Sequence, residues 1–112
     1  MDQTLPLEIS PAHVKAMLSN GSSVRLIDVR EPFEHQQARI DGGELIPMRS
    51  IPAALPQIEG IEDPIVVYCH HGVRSLQVVA WLREQGIEHC TSMEGGIDRW
   101  SLEVDPAVPR YF

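Results

Sequence analysis

The sequence predicts an α/β domain with a central, mostly parallel sheet flanked by helices. Three short apolar runs, at residues 24–29, 65–68 and 87–92, are rich in β-branched residues and have the length of buried strands. Segments with a helical spacing of apolar residues lie between and after them. Strands that alternate with helices are typical of parallel sheets, because each parallel pair requires a crossover connection.

The composition is that of one acidic globular domain. The chain has 112 residues, 43% of them hydrophobic, and a formal net charge of −7. We expect one domain over residues 1–112, with a core over about 8–101 and an extended C-terminal tail over 102–112. The negative charge argues against nucleic acid and anionic membranes as partners. Met1–Thr4 lacks signal-peptide features, and no run reaches the roughly 20 apolar residues of a membrane helix, so we expect a cytoplasmic protein.

Residues that start and stop helices define the other elements. Ser10 is a helix N-cap and Pro11 suits the first helical position, and this helix ends at Asn20-Gly21. Pro56 should limit a short helix that starts at 52–55. We further expect a helical turn over 33–37, a turn at 41–43, an extended segment over 45–48, and a final helix that follows Gly95-Gly96 and ends near Trp100.

The segment after the second strand carries the chemistry. Cys69 ends that strand, and a tight turn leads into a helix over 73–85 with Gly86 at a left-handed C-cap. Free backbone N–H groups and the helix dipole make such a turn an anion site and favour the thiolate form of cysteine. Gly72 allows close approach of the backbone to the sulfur. Arg74 is either a solvated residue at the helix start or a ligand for a substrate anion, and its planar fork favours the second.

The remaining titratable residues near this loop predict no metal site. His70 and His71 are adjacent, and adjacent residues seldom converge on one ion, so they line the pocket mouth or supply a proton. Cys90 lies within a predicted strand without basic neighbours and is expected to be a buried structural thiol. Asp28 and Cys69 both end strands and would share one edge of the sheet if those strands are neighbours.

The chain resembles the single-domain rhodaneses in four ordered segments, at residues 26–31, 40–48, 69–75 and 93–100. Ala38-Arg39 stands where that family has Gly-His. The resemblance implies a sulfurtransferase that needs no cofactor, with Cys69 as the nucleophile that carries a persulfide. It implies that Asp28 and Arg30 orient the site through ion pairs. The loop residues that it implies for substrate binding are His70, His71, Gly72, Val73, Arg74 and Ser75.

The same resemblance leaves the partners and two rival functions open. Donor candidates are thiosulfate, mercaptopyruvate or a protein persulfide, and the acceptor is a thiol, cyanide or a partner protein. One rival is a persulfide carrier or binding module without turnover. The other is a cysteine phosphatase or arsenate reductase, in which Arg lies six positions after the cysteine. Here Arg74 lies five positions after Cys69, which gives a loop suited to one terminal sulfur rather than to three phosphoryl oxygens.

Overall fold

The computed structural model describes residues 5–111, and within them the chain forms one parallel sheet. Its strands lie in the order β1-β5-β4-β2-β3, and each neighbouring pair is parallel. The strands are β1 (Glu8–Ile9), β2 (Arg25–Asp28), β3 (Glu44–Leu45), β4 (Ile65–Tyr68) and β5 (Cys90–Met93). The helices are α1 (Pro11–Ser19), α2 (Pro32–Gln37), α3 (Ile51–Glu59), α4 (Val73–Glu84) and α5 (Gly96–Glu103).

The predicted fold class is therefore confirmed, and helices cover both faces of the sheet. Buried side chains of α3 and α4 pack on one face in a cluster that includes Ile58 and Leu82. Side chains of α1 and α5 pack on the other face around Val14 and Trp100. A parallel sheet needs such cover on both sides, and all four residues of β4 are fully buried between the two layers. No helix within the described part of the chain is both long and apolar enough to cross a membrane.

The sheet order brings the ends of β2, β4 and β5 to one edge. β4 pairs with β2 on one side and with β5 on the other, and Asp28 lies opposite Tyr68. Cys69 follows Tyr68 directly, so Asp28 and Cys69 share an edge, as expected. Sites in open parallel sheets form at this carboxyl edge.

Pro56 does not limit its helix, contrary to expectation. Helix α3 runs from Ile51 to Glu59 with Pro56 inside it. Ile51 and Ile58 are 2% and 0% exposed on the two sides of the proline. Burying one such side chain contributes about 2 kcal/mol. This offsets much of the free energy that is lost because the proline cannot donate a helical hydrogen bond.

Two strands also differ from expectation. β1 was not predicted, because two residues are too few to show a pattern. The predicted strand over 87–92 begins only at Cys90, because Ile87 belongs to the end of α4. Gly86 has a φ of +96°, its N–H donates to the Arg83 carbonyl, and the Ile87 N–H donates to the Leu82 carbonyl. This is a Schellman cap, in which the residue after the glycine packs back on the helix.

The C-terminal segment differs from a simple extended tail. α5 continues to Glu103, and a turn follows in which the Val108 N–H donates to the Asp105 carbonyl. The segment then returns to the sheet, where Val104, Val108 and Tyr111 pack against the buried cluster. The expectations for Met1–Thr4 and for the tail end at Phe112 lie outside the described residues.

Candidate active site

The loop after β4 wraps around the sulfur of Cys69. Cys69 is 1% exposed, and its Sγ accepts hydrogen bonds from the backbone N–H groups of Gly72 at 3.1 Å and Ser75 at 3.3 Å. Gly72 precedes α4 with a φ of +98°, a conformation that strongly favours glycine. Two N–H donors at the start of a helix stabilise negative charge on the sulfur. The expected N–H donors thus surround Cys69 Sγ. We call the Gly72 and Ser75 N–H groups around this sulfur the cradle.

A pair of buried hydroxyl groups closes the inner side of the cradle. Ser75 Oγ lies 3.4 Å from Cys69 Sγ and 2.7 Å from Ser92 Oγ. Both serines are fully buried, and Ser92 belongs to β5, next to β4 in the sheet. Ser92 was not identified from the sequence. The sequence shows only a serine within a predicted strand, and the structure adds that all four residues of that strand are buried.

The first turn of α5 holds the Cys69 loop in place through two backbone hydrogen bonds. The Ile97 N–H donates to the Cys69 carbonyl at 2.8 Å, and the Asp98 N–H donates to the His70 carbonyl at 3.1 Å. Gly96 has a φ of +63°, and a Cβ there would lie 2.3 Å from the His70 oxygen. The Gly95-Gly96 pair therefore lets the helix approach the loop backbone closely. This contact fixes the position of the residue that carries the sulfur.

Arg74 turns its guanidinium group to a carboxylate of α2. Its two terminal nitrogens donate to Glu34 Oε1 and Oε2 at 2.8 and 2.9 Å. The Glu34 side chain is 7% exposed, and Tyr111 OH also donates to Oε2 at 2.8 Å. The hydrogen bonds from Arg74 lower the pKa of Glu34 to about 2, against the opposing effect of burial. Glu34 is therefore ionised at neutral pH, and it holds the Arg74 fork in place in this structure.

Asp28 and Arg30 form a buried ion pair beneath this network. Arg30 donates from Nε and a terminal nitrogen to the two oxygens of Asp28 at 2.8 and 2.7 Å, and both side chains are fully buried. Arg30 also donates to the Ala38 carbonyl and to Tyr111 OH. Because an unpaired buried charge is costly, each of these side chains holds the other in place at this edge of the sheet.

The two histidines form a stack at the outer side of the loop. The ring centroids of His70 and His71 are 3.9 Å apart, and Tyr111 stacks on the other face of His70 at 4.0 Å. Burial, with a smaller effect of His71, lowers the pKa of His70, so this ring is neutral at pH 7. Its Nε2 is buried without a hydrogen-bond partner among the described groups. The tail thus covers the loop, which the sequence did not indicate.

His70, His71 and Asp98 are the described groups nearest to a metal-binding arrangement, with ligand atoms within 4.8 Å of one another. Asp98 is engaged by Arg110 through both carboxylate oxygens, at 2.8 and 3.2 Å. The two imidazole rings are stacked, and their planes differ by 25°. A metal ion here would have to compete with Arg110 for the Asp98 carboxylate.

The other predicted residues have clear positions. Val73 is 66% exposed at the start of α4, beside Arg74. Arg74 also lines an open cavity of about 480 Å³ together with Val29, Met48, Arg49 and Pro52.

Cys90 is fully buried, and burial raises the pKa of its thiol. Its Sγ donates to the Ile87 carbonyl at 3.3 Å, which fits a structural thiol.

Glu34 and Tyr111 complete the site, although sequence reasoning did not select them. Glu34 occupies the third position of α2, where an acidic residue suits the helix dipole. This local role gave no sign of the ion pair with Arg74. Tyr111 lies near the end of the chain, in a segment that was expected to be extended. No periodic pattern in the sequence connects either residue with Cys69.

Comparisons of this chain with known proteins agree on one family. A model described as "Rhodanese-like domain" matches residues 10–103. The Arabidopsis thaliana protein "Rhodanese-like/PpiC domain-containing protein 12, chloroplastic" is 40% identical over 90 residues, which are 78% of this chain and 30% of that protein. An Allochromatium vinosum protein named "Sulfurtransferase" is 34% identical over 101 residues, which are 90% of this chain and 94% of that protein.

A solved structure shows the same fold. The crystal structure of SSP1007 from Staphylococcus saprophyticus has a TM-score of 0.78 and 29% identity, and the match covers 94% of this chain and all of that one. The chain spans less than a third of the Arabidopsis relative but nearly the whole of the Allochromatium protein.

Proposed function

The chain belongs to the rhodanese-like domain family, and we propose that it is a sulfurtransferase that moves a sulfane sulfur through a persulfide on Cys69. The observation that carries this proposal is the cradle of Gly72 and Ser75 N–H groups on Cys69 Sγ, at 3.1 and 3.3 Å. These donors favour the thiolate, which is the nucleophilic form. The name of the Allochromatium relative, which has nearly the same length as this chain, also supports the proposal.

The first half-reaction loads the enzyme. The Cys69 thiolate attacks the outer sulfur of the donor, the donor's bond to that sulfur breaks, and the electron pair leaves with the remainder of the donor, which is sulfite when the donor is thiosulfate. Cys69 then carries a second sulfur with a negative charge on the outer atom. N–H donors of the loop that are not used by Sγ stabilise that charge. Arg74, whose terminal nitrogens pair with Glu34, contributes through its positive charge.

The second half-reaction returns the thiolate. A thiol or cyanide attacks the outer sulfur, the S–S bond breaks, and its electron pair returns to Cys69 Sγ. The Gly72 and Ser75 N–H groups stabilise the departing thiolate in the same way that they stabilise the attacking one. No cofactor takes part in either step. A reducing compartment such as the cytoplasm keeps Cys69 and Cys90, which form no disulfide within the described residues, as thiols.

A carrier function for a protein partner is the second candidate, and one surface feature favours it. Phe33 and Val73 are 64% and 66% exposed. They directly precede Glu34 and Arg74, which contact each other, so two exposed apolar side chains flank this ion pair. Exposed apolar residues beside a reactive group suit docking of a protein donor or acceptor. A carrier would form a stable persulfide and turn over small donors slowly.

Intact mass measured before and after incubation with thiosulfate, mercaptopyruvate and a protein persulfide tests the proposal. We expect a gain of one sulfur atom that is removed by cyanide and by a thiol, that is absent in Cys69→Ser and that is retained in Cys90→Ser. Rapid turnover with a small donor distinguishes the enzyme from the carrier. Hydrolysis of an aryl phosphate that is lost in Cys69→Ser, with no gain of sulfur from any donor, would contradict the proposal and favour a phosphatase.

A further inference from the structure

The buried hydroxyl groups of Ser75 and Ser92 lie beside Cys69, but neither half-reaction as proposed uses them. Ser92 Oγ is fully buried on β5, and within residues 5–111 its side-chain hydrogen-bond partner is Ser75 Oγ, at 2.7 Å. A buried hydroxyl is costly unless it is hydrogen-bonded, so this short contact is maintained in the folded protein. Ser92 does not contact Cys69 Sγ, and any effect that it has on the sulfur passes through Ser75.

The number of protons in this cluster limits the possible arrangements. Ser75 Oγ has one proton and three neighbours: Gly72 O at 3.3 Å, Cys69 Sγ at 3.4 Å and Ser92 Oγ at 2.7 Å. When Cys69 is a thiol, the S–H donates to Ser75 Oγ, and Ser75 donates to the Gly72 carbonyl or to Ser92. When Cys69 is a thiolate, the sulfur only accepts, so Ser75 stabilises it by turning its O–H toward Sγ.

The second arrangement needs a donor on the other side of Ser75. Once the Ser75 proton points to the sulfur, the Ser75 lone pairs face Ser92, and only a donated O–H from Ser92 makes the 2.7 Å contact favourable. A hydroxyl that accepts a hydrogen bond is also a stronger donor, because hydrogen bonds in a chain polarise one another. The order of donation is then Ser92 to Ser75 to the Cys69 thiolate.

We propose that Ser92 is a positioning residue for sulfur transfer, which orients the Ser75 hydroxyl toward Cys69 Sγ whenever the sulfur carries negative charge. The inference builds on the proposed function, since Cys69 carries this charge when it attacks the donor and again when the acceptor takes the sulfur away. Ser92 therefore acts on both half-reactions without touching either substrate.

Alkylation of Cys69 by iodoacetamide as a function of pH tests this role without any sulfur donor. The charged or titratable groups near Cys69 are Arg74 of α4 and His70 of the loop, with Glu34 of α2 and Tyr111 of the tail behind them. They are the same in every variant, so a difference between variants reports the hydroxyl groups. Mass analysis of the peptides distinguishes alkylation of Cys69, which is 1% exposed, from alkylation of Cys90, which is 0% exposed.

We expect Ser92→Ala to move the midpoint of the alkylation profile upward by about half a pH unit, the size of a cooperative change in one charge-assisted hydrogen bond. Ser75→Ala should move it further, by about one to two units. In the double variant the midpoint should equal that of Ser75→Ala, because Ser92 acts only through Ser75. Ser101→Ala is the matched control: Ser101 is a buried serine whose Oγ donates to the Ile97 carbonyl, and its loss should leave the midpoint in place.

Two results would overturn the inference. One is a Ser92→Ala profile that coincides with that of the wild type or of Ser101→Ala while circular dichroism shows a native fold. The other is a double variant whose midpoint shift equals the sum of the Ser92→Ala and Ser75→Ala shifts. If the shift is present but no donor loads Cys69 with sulfur, the inference holds for the thiolate and the proposed function fails, so the two failures are distinguishable.

Discussion

Replacement of Gly96 by alanine should both destabilise the protein and displace the loop that carries Cys69. The Cβ of the new residue would lie 2.3 Å from the His70 oxygen and 2.5 Å from the Cys69 oxygen. Both atoms are backbone, so no flexible side chain can move aside. The same two carbonyls accept the Asp98 and Ile97 N–H groups, so relief of the clash must lengthen the bonds that hold the loop on α5.

The expected loss of unfolding free energy has two parts. A non-glycine residue at a φ of +63° costs about 1–2 kcal/mol, and overpacking against a fixed wall costs about a further 1–3 kcal/mol. Gly21→Ala is the matched control, because Gly21 has a φ of +83° and nothing lies within 4 Å of its added Cβ. It should lose only the first part, about 1–2 kcal/mol.

Urea unfolding at pH 7, together with the alkylation rate of Cys69, measures both effects. Gly96→Ala should lose about 2–5 kcal/mol and alkylate with an altered rate, whereas Gly21→Ala should keep the wild-type rate. If Gly96→Ala is no less stable than Gly21→Ala and has the wild-type alkylation rate, then α5 does not fix the loop in the way described.

Further variants probe the sulfur, the carboxylate and the cation of the site. Cys69→Ser should abolish sulfur transfer in a steady-state assay while the fold is kept, and Cys90→Ser should retain most of it; equal losses would make Cys90 a relay thiol. The pKa of Glu34 is lowered by Arg74 from 4.5 to about 2, so its stabilising contribution is complete above pH 4.5 and disappears as the pH falls toward 2. Glu34→Gln should therefore be less stable than the wild type at pH 7 in urea unfolding and lose less stability between pH 5 and 2; parallel curves for the two proteins would show that the ion pair contributes nothing. Arg74→Ala should lower kcat/KM for an anionic donor by the equivalent of about 1–3 kcal/mol, and Arg74→Lys should restore only part, because lysine lacks the planar fork. An unchanged kcat/KM in Arg74→Ala would assign Arg74 to the support of Glu34 alone.

Local signals in the sequence predicted the fold class and the cysteine loop. Ser10 accepts the His13 N–H and Pro11 follows it, as the sequence indicated for the start of α1. Gly72 and Gly86 both have positive φ, and each lies at an end of α4 where backbone geometry favours glycine. These features depend on a few neighbouring residues, so their physical cause is contained in a short stretch of sequence.

Burial overruled the local signals at two places. Pro56 should end a helix by its own chemistry, yet the burial of Ile58 continues α3 beyond it. Ile87 is β-branched and suits a strand, yet it caps α4. Its N–H donates to the Leu82 carbonyl, and the two side chains belong to the same buried cluster. In both cases the competing free energy comes from packing, and a single sequence does not show which side chains will face each other.

The residues that contact the Cys69 loop were decided by the tertiary structure alone. Arg74 and Glu34 are 40 residues apart in sequence, and Ser75 and Ser92 are 17 apart. Tyr111 reaches His70 from the far end of the described chain. The sequence determined that Cys69 would end a strand and precede a helix, because strand, turn and helix are local. Which charges and hydroxyl groups surround that sulfur depends on the order of the strands and on how helices and tail pack on the sheet, and those contacts exist only when distant segments are folded together.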